Sequence, residues 1–320
     1  MVVEHLDGTY ILPIRRDTTG EEEDGLSIYL AWLSRWMEVL VVDGSPPHVF
    51  AQHRARWPGG IRHLPPDPDL RSVNGKAWGV NTGLRHASHD RVVIGDDDVR
   101  YDEASLRRVL ALLEDVDVVR PQNYFEPRPW HAQWDTGRTL LNRAFGGDWP
   151  GTLGLRRNLV RYYDGDVLFE NLELCRTVKA AGGLQAVPLD LYVRRLPPTA
   201  RHFWSQRVRQ AYDEFARPPL LVAQLALVPA IAFLLLTDRA RALLPAALLV
   251  TALAEVGRRR SGGRRYFPAI ASFLALLWLL ERGVCSWLAV WQRLRWGGVR
   301  YRGGVLPRAA HSTTSLRQAR

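Results

Sequence analysis

Three consecutive aspartates, Asp96-Asp97-Asp98, follow the short apolar run Val92–Ile94. A plain surface turn gains nothing from three neighbouring like charges, whereas a divalent cation offsets their repulsion. Magnesium and manganese prefer carboxylate oxygens, with waters and substrate phosphates completing the shell. Asp96 and Asp98, separated by one residue at the end of a strand, could grip one ion from the same side. A second acidic position, Asp43 in Asp43-Gly44-Ser45, also closes an apolar run. Asp-Gly is a strong turn former, so Asp43 taken alone reads more readily as a turn residue than as a ligand. Nine histidines and two cysteines are scattered without the spacing of a zinc site or a disulfide framework.

The elements that must position these residues alternate. Tyr10–Ile14, Val39–Val42, Ile61–Leu64, Val92–Ile94 and Val116–Val119 have strand character. Leu26–Trp36, Pro46–Arg56, Gly75–Ala87 and Glu103–Leu113 are helical patterns between them. This order predicts an α/β fold, a doubly wound and mostly parallel sheet, with ligands beyond the carboxyl ends of its strands. Asp43 and Asp96–Asp98 fall at such ends.

After Arg217 the character changes. Pro219–Leu236 carries no charge and is long enough to cross a hydrocarbon core of about 30 Å. Ala240–Val256 is a second apolar tract, and Phe267–Trp296 a third, interrupted by Glu281–Arg282. The arginine-rich loop Gly257–Arg265 and the stretch Arg293–Arg302 follow the positive-inside pattern. The expected organisation is a cytoplasmic catalytic domain over 1–217, a membrane region over 218–302 and a flexible tail over 303–320. With residues 1–217 inside, two spans return the basic loop to the cytoplasm. Residues 267–296 then read as a re-entrant pair or an interfacial segment, with Trp278, Trp287, Trp291 and Trp296 at headgroup level. The location expected is the cell membrane, multi-pass, in the cell envelope. Met1–Gly8 has no apolar run and does not read as a secretory signal.

The chain has 320 residues, is 47% hydrophobic and carries a formal charge of +10, which excludes a peptide or a disordered tail. Only Lys76 and Lys179 are lysines, so the basic balance is arginine. Those arginines cluster beside the apolar spans and no nucleic-acid motif is present, so no nucleic-acid partner is expected.

In order along the chain, TYILPIR, VVDGS, NGKAWGVNTGLRHA and VIGDDDVRYD resemble motifs of the membrane-bound glycosyltransferases of family 2, which have the GT-A fold. The resemblance implies a nucleotide-sugar donor such as a UDP- or GDP-sugar, Mg²⁺ or Mn²⁺, and inversion at the anomeric carbon. It implies that Pro13 and Arg15 line the nucleotide pocket, that Asp43 contacts the base, and that Lys76 lies beside the diphosphate. Asp96 and Asp98 would be the outer positions of the DXD motif, with Asp97 between them on the donor. Two motifs are altered. LFENLELCRTVKAAGG has Asn171 where the family's general base stands; an amide cannot take a proton, which leaves Glu170 as first candidate and Glu173 as second, with Asp164 and Asp166 behind them. HFWSQRVRQAYDEF supplies Gln206 and Arg209 for the donor diphosphate, with Gln210 in place of the family's tryptophan.

On a helical wheel over 201–216, Trp204, Val208, Ala211 and Phe215 share one face, and Gln206, Arg209, Gln210 and Asp213 the other. This predicts an interfacial helix presenting a polar row to the cleft. Trp130, Trp134 and Trp149 suit sugar stacking, lipid cover or a core, and Arg138, Arg156 and Arg157 suit phosphate. The function expected is a membrane-anchored, metal-dependent transferase acting on a lipid or lipid-linked acceptor. The alternatives are a catalytically silent membrane scaffold with the same fold and a GT-A-like nucleotidyltransferase.

Overall fold

The computed structural model describes residues 5–18, 20, 22–301 and 304–319. Met1–Glu4, part of the N-terminal segment read above, lies outside them, as do Arg302 and Gly303 of the basic stretch and the tail. In chain order the elements are β1 (Thr9–Ile14), α1 (Glu22–Leu33), β2 (Glu38–Asp43), α2 (Pro47–Arg56), β3 (Arg62–Leu64), α3 (Gly75–His86), β4 (Arg91–Gly95), β5 (Val99–Arg100), α4 (Glu103–Leu112) and β6 (Val118–Val119). There follow β7 (Gln122–Phe125), α5 (Trp130–Ala144), β8 (Thr152–Arg156), α6 (Glu170–Ala180), β9 (Gln185–Ala186), β10 (Tyr192–Arg195) and α7 (Ala200–Tyr212). The chain ends with α8 (Pro218–Leu236), α9 (Leu243–Arg259), α10 (Ile270–Trp296), β11 (Val299–Tyr301), β12 (Gly304–Leu306) and α11 (Thr313–Gln318).

Two compact units share these elements. The first takes in the described residues of Met1–Pro121, Pro150–Ala186 and His311–Arg320, and the second Gln122–Trp149 and Val187–Ala310. The first unit is built on a seven-stranded sheet of order β3-β2-β1-β4-β8-β6-β9. β1 pairs parallel with β2 and β4, and β2 with β3, whereas β8 is antiparallel to both β4 and β6. The register sets Ile14 beside Asp43 and Ile11 beside Ile94, so the carboxyl ends of β1, β2 and β4 share one edge. Strand order reverses between β1 and β4, the place where such sheets open a crevice. Tyr10, Ile11, Leu40, Val41, Val92 and Val93 are almost fully buried, as central strands covered on both faces require.

Helix α3 is held tightly to β1 by its glycines. A Cβ at Gly79 would sit 2.8 Å from that of Pro13, and one at Gly83 would overlap Ile11. Only glycine lets the helix axis come this close, and the pairing brings the start of α3 to the carboxyl end of β1. The expected strands at Ile61–Leu64 and Val116–Val119 shorten to β3 and β6.

In the second unit β7 and β10 pair parallel, and β11 and β12 form an antiparallel hairpin. Leu140, Ala254, Phe267, Ala271 and Ala275 make a buried core between α5, α9 and α10. Three helical segments, Pro218–Leu236, Ala240–Arg265 and Ile270–Trp296, are long and apolar enough to cross a membrane. The break expected at Glu281–Arg282 does not occur, because α10 is one continuous helix of 27 residues. Its charges are absorbed locally: Arg207 of α7 reaches Glu281 at 2.7 Å, and Arg282 is buried with its guanidinium 5.2 Å from the Trp278 ring centre. Residues 304–319, expected within a tail, contain β12 and α11.

The wheel drawn for 201–216 is also shifted. Helix α7 buries Phe203, Arg207, Ala211 and Tyr212, while Trp204 is 47% exposed. Arg207 takes a buried place because Asp135 at 2.9 Å and Glu281 neutralise it, which an apolarity pattern cannot anticipate.

Candidate active site

At the shared strand edge, Gly95 ends β4 where a Cβ would overlap the Tyr10 hydroxyl. The chain then turns through Asp96–Asp98, with the Asp96 N–H donating to Gly151 O at 2.9 Å and the Val99 N–H to Asp96 O at 3.0 Å. Asn74 caps α3, its side-chain oxygen accepting from the N–H groups of Lys76 and Ala77. Its amide donates to the carbonyls of Val167 and Leu168 at 3.0 and 3.4 Å, and Asn81 donates to Tyr163 O at 2.9 Å. These bonds fasten the loop before α6 to α3, so Glu170 at the start of α6 faces Lys76.

The result is a charged cluster. Lys76 Nζ lies 2.6 Å from Asp96 Oδ1 and 2.8 Å from Glu170 Oε1. Burial opposes the ammonium charge, but Asp96 and then Glu170 outweigh it and hold Lys76 well above its usual pKa. Asp97 pairs with Arg16, its Oδ2 3.0 Å from Arg16 Nη2. The adjacent arginine, Arg15, is exposed, and Pro13 is partly buried under Gly79. Arg16 was not singled out in the sequence, although the Arg15-Arg16 pair left the choice to strand geometry alone.

Asp43 is buried rather than open to a ligand on all sides. Its Oδ1 accepts from the Ser45 N–H at 2.9 Å, and its Oδ2 lies 2.6 Å from His53 Nδ1 and 3.0 Å from His63 Nε2. Burial works against the carboxylate, yet His63, His53 and Ser45 overcome it and lower its pKa to about 2. The two imidazoles are themselves packed, His53 stacked on Trp57 and His63 on Phe50 at centroid separations of 4.4 and 4.0 Å.

On α6 the substituted residue has a structural partner: Asn171 Nδ2 donates to Pro150 O at 3.0 Å, a bond an ionised aspartate could not make. Glu173 is fully buried, with Oε2 accepting from the His311 N–H at 2.7 Å and Oε1 2.9 Å from His311 Nδ1. Asp164 Oδ2 lies 3.6 Å from that same nitrogen, and Asp166 accepts from the Val73 N–H at 2.8 Å. Tyr163 is buried among these groups: burial first, then the charges of Glu170, Asp96 and Glu173, push its phenol well above the usual range. No local pattern pointed to His311.

Gln206 and Arg209 belong to the second unit. Gln206 Nε2 lies 3.2 Å from His202 Nε2, and the Arg209 guanidinium stacks 5.2 Å from the Tyr301 ring centre. Arg138 is committed to Asp148 at 2.6 Å and Asp135 at 3.3 Å, and Arg156 to Asp90 at 3.2 Å. Arg157 donates to Leu84 O at 3.2 Å. Trp130 is 54% exposed and lies 6.3 Å from Trp204, centroid to centroid, while the Trp134 indole donates to Glu281.

Among the described residues no three His, Cys, Asp or Glu side chains converge as a ready metal-binding group. Asp96 and Asp98 supply two carboxylates flanking one turn, a partial set that suits a hard divalent ion whose remaining ligands come from water and phosphate.

Residues 35–173 match the sequence family described as Glycosyl transferase family 2. The matched residues, from just before β2 into α6, carry the family 2 glycosyltransferase domain, and the fold is of the GT-A type. Among solved structures it is similar to the mannosyltransferase PcManGT from Pyrobaculum calidifontis in complex with GDP-Man and Mn²⁺, at 18% identity and TM-score 0.50, covering 89% of this chain and 88% of that one. It also matches S. aureus TarS residues 1–349 in complex with UDP at 15% identity, with TM-score 0.40 and 63% and 64% of the two chains covered. A third match, mannosyl-3-phosphoglycerate synthase from Rubrobacter xylanophilus, has 18% identity and TM-score 0.41, with 62% and 70% covered. No curated protein matches the chain in sequence.

Proposed function

We propose that this chain is a membrane-anchored, metal-dependent, inverting glycosyltransferase that moves a sugar from a nucleotide sugar to a lipid or lipid-linked acceptor at the cytoplasmic face of the cell membrane. The observation that carries this reading is the Asp96–Lys76–Glu170 cluster at the shared carboxyl edge of β1, β2 and β4. It places two signs of charge where a nucleoside diphosphate has to be held and then released. Three helices long and apolar enough to cross a membrane support anchoring, and an anchored transferase meets lipid substrates without leaving the bilayer surface.

Asp96 and Asp98 are the residues that would hold Mg²⁺ or Mn²⁺, which supplies Lewis-acid neutralisation of the departing diphosphate. Lys76 exchanges Asp96 for a phosphate oxygen when the donor enters, and Glu170 keeps the ammonium aimed at the diphosphate. Arg16 balances Asp97, and Asp43 with Pro13 and Arg15 borders the nucleotide. Gln206 and Arg209 of α7, in the second unit, keep the diphosphate role on the strength of the motif resemblance alone. With Glu170 facing a cation, the proton of the acceptor falls to another group, considered below.

The test is nucleoside diphosphate release by detergent-purified protein with UDP-, GDP- and dTDP-sugars. It is run with Mg²⁺ or Mn²⁺, with and without membrane lipid extract, and with Asp98→Ala in parallel. Release that requires one donor, metal and lipid, and that disappears in Asp98→Ala, is the expected result. Binding of no nucleotide sugar, or release indifferent to Asp98, overturns the proposal.

A further inference from the structure

We propose that His311, seated on Glu173, takes the proton from the acceptor hydroxyl; this rests on the transferase reading above. Glu173 is fully buried, whereas the His311 side chain remains 17% exposed, so of the two the imidazole is the one solvent reaches. Oε1 of Glu173 lies 2.9 Å from Nδ1, and Oε2 accepts the main-chain N–H of the same histidine. An ionised carboxylate can only accept, so Nδ1 carries the hydrogen and Nε2 becomes the basic nitrogen. The Arg176 guanidinium donates to His311 O at 2.6 Å, a third bond that fixes the residue to α6. Glu173, Asp164 and Arg176 are charged groups turned toward this histidine.

The dyad is next to the donor cluster. Glu173 follows Glu170 by three residues, which on a helix places the two side chains as neighbours. The buried Tyr163 phenol is acted on by Glu170, Asp96 and Glu173 together. The two other groups at this end of α6 are otherwise engaged, Glu170 with Lys76 and Asn171 with Pro150 O. In the step, the acceptor O–H bond breaks and its proton passes to His311 Nε2. The oxygen's electron pair forms the new bond to the anomeric carbon. The bond from that carbon to the diphosphate breaks, and its electron pair leaves on the diphosphate.

The experiment uses the full chain in detergent and compares His311→Asn, Glu173→Gln and His311→Ala with the unmodified protein. Asn can still donate an N–H toward Glu173 while offering no basic nitrogen, so the docking of this segment is preserved. Expected for His311→Asn is a fall in kcat of about 10²- to 10⁴-fold. Donor KM and the metal concentration for half-activation stay unchanged, and the limb of the pH profile that reports the base disappears. Glu173→Gln gives a smaller loss in the same parameter, and added imidazole restores part of the His311→Ala rate. Unchanged kcat and pH profile in His311→Asn overturn the assignment, as does a loss confined to donor or metal affinity. Absence of turnover in the unmodified chain with every donor and lipid removes the transferase reading itself, and this inference with it.

Discussion

Replacing Lys76 by methionine keeps the length of the side chain and removes a charge that Asp96 and Glu170 both contact. At an effective dielectric of about 20, each contact is worth roughly 6 kcal/mol in gross Coulomb terms. Desolvation of the ammonium and the residual exposure of the side chains, 20% for Lys76 and 14% for Glu170, cut that severely. A net loss of about 3 kcal/mol is expected, part of it the repulsion between two carboxylates left facing each other. For a domain of this size that lowers the unfolding temperature by roughly 6–12 °C. Because the pKa of Lys76 is raised in the folded state, its contribution is complete below the unfolded value of about 10.4 and is lost only at higher pH. The deficit should therefore be constant from about pH 6 to 9. The assay is thermal unfolding of the detergent-solubilised chain, completed as a cycle with Glu170→Gln and the double variant. A coupling of about 1 kcal/mol or more between the two sites is expected. Additive losses, or an unfolding temperature within about 2 °C of the unmodified protein, would refute the reasoning.

Other outcomes follow from the same geometry. The carboxyl of Asp43 drops from an ordinary 3.8 to about 2, so its stabilisation is present above the higher value and lost as pH falls through the lower. Asp43→Asn should cost about 2 kcal/mol at neutral pH and flatten the acid limb of an unfolding titration; an unchanged limb refutes this. Gly83→Val should destabilise by more than about 2 kcal/mol in denaturant unfolding, since its side chain overlaps Ile11. Arg207→Met leaves Glu281 buried without its guanidinium partner and Asp135 with Arg138 alone, and about 3 kcal/mol should be lost. Adding Glu281→Gln should recover part of it, and failure to do so would remove the pairing as the cause.

Much of the first unit could be read directly from residue patterns. β1, β2 and β4 are short apolar runs because they are covered on both faces, and turn residues mark their ends, so Asp43 and Asp96 were found where the sheet opens. Lys76 was visible because lysine is rare in this chain and because NGKAWGVNTGLRHA carries a family resemblance. What escaped depends on distance along the chain. His311 meets Glu173 from 138 residues away, and nothing local in either segment specifies the other. Choosing Arg15 over Arg16 failed to anticipate the Asp97 pair, since the turn after β1 decides which side chain points inward. Glu281–Arg282 suggested a break in an apolar tract, but α5 and α7 supply countercharge and cover, so helical hydrogen bonding continues through them.

The first unit is assembled from three stretches of chain, the last of which comes after every apolar helix. During synthesis from the amino terminus, Glu173 is therefore made long before the histidine that covers it, and all of α8, α9 and α10 must leave the ribosome in between. Closing so long a loop adds little to its entropic cost compared with one half its length, but it delays the contact. α6 consequently waits with the Glu173 carboxylate uncovered until His311 emerges, and all three apolar helices have left the ribosome by then. The chain's own order of synthesis thus schedules completion of the first unit after emergence of all three apolar helices.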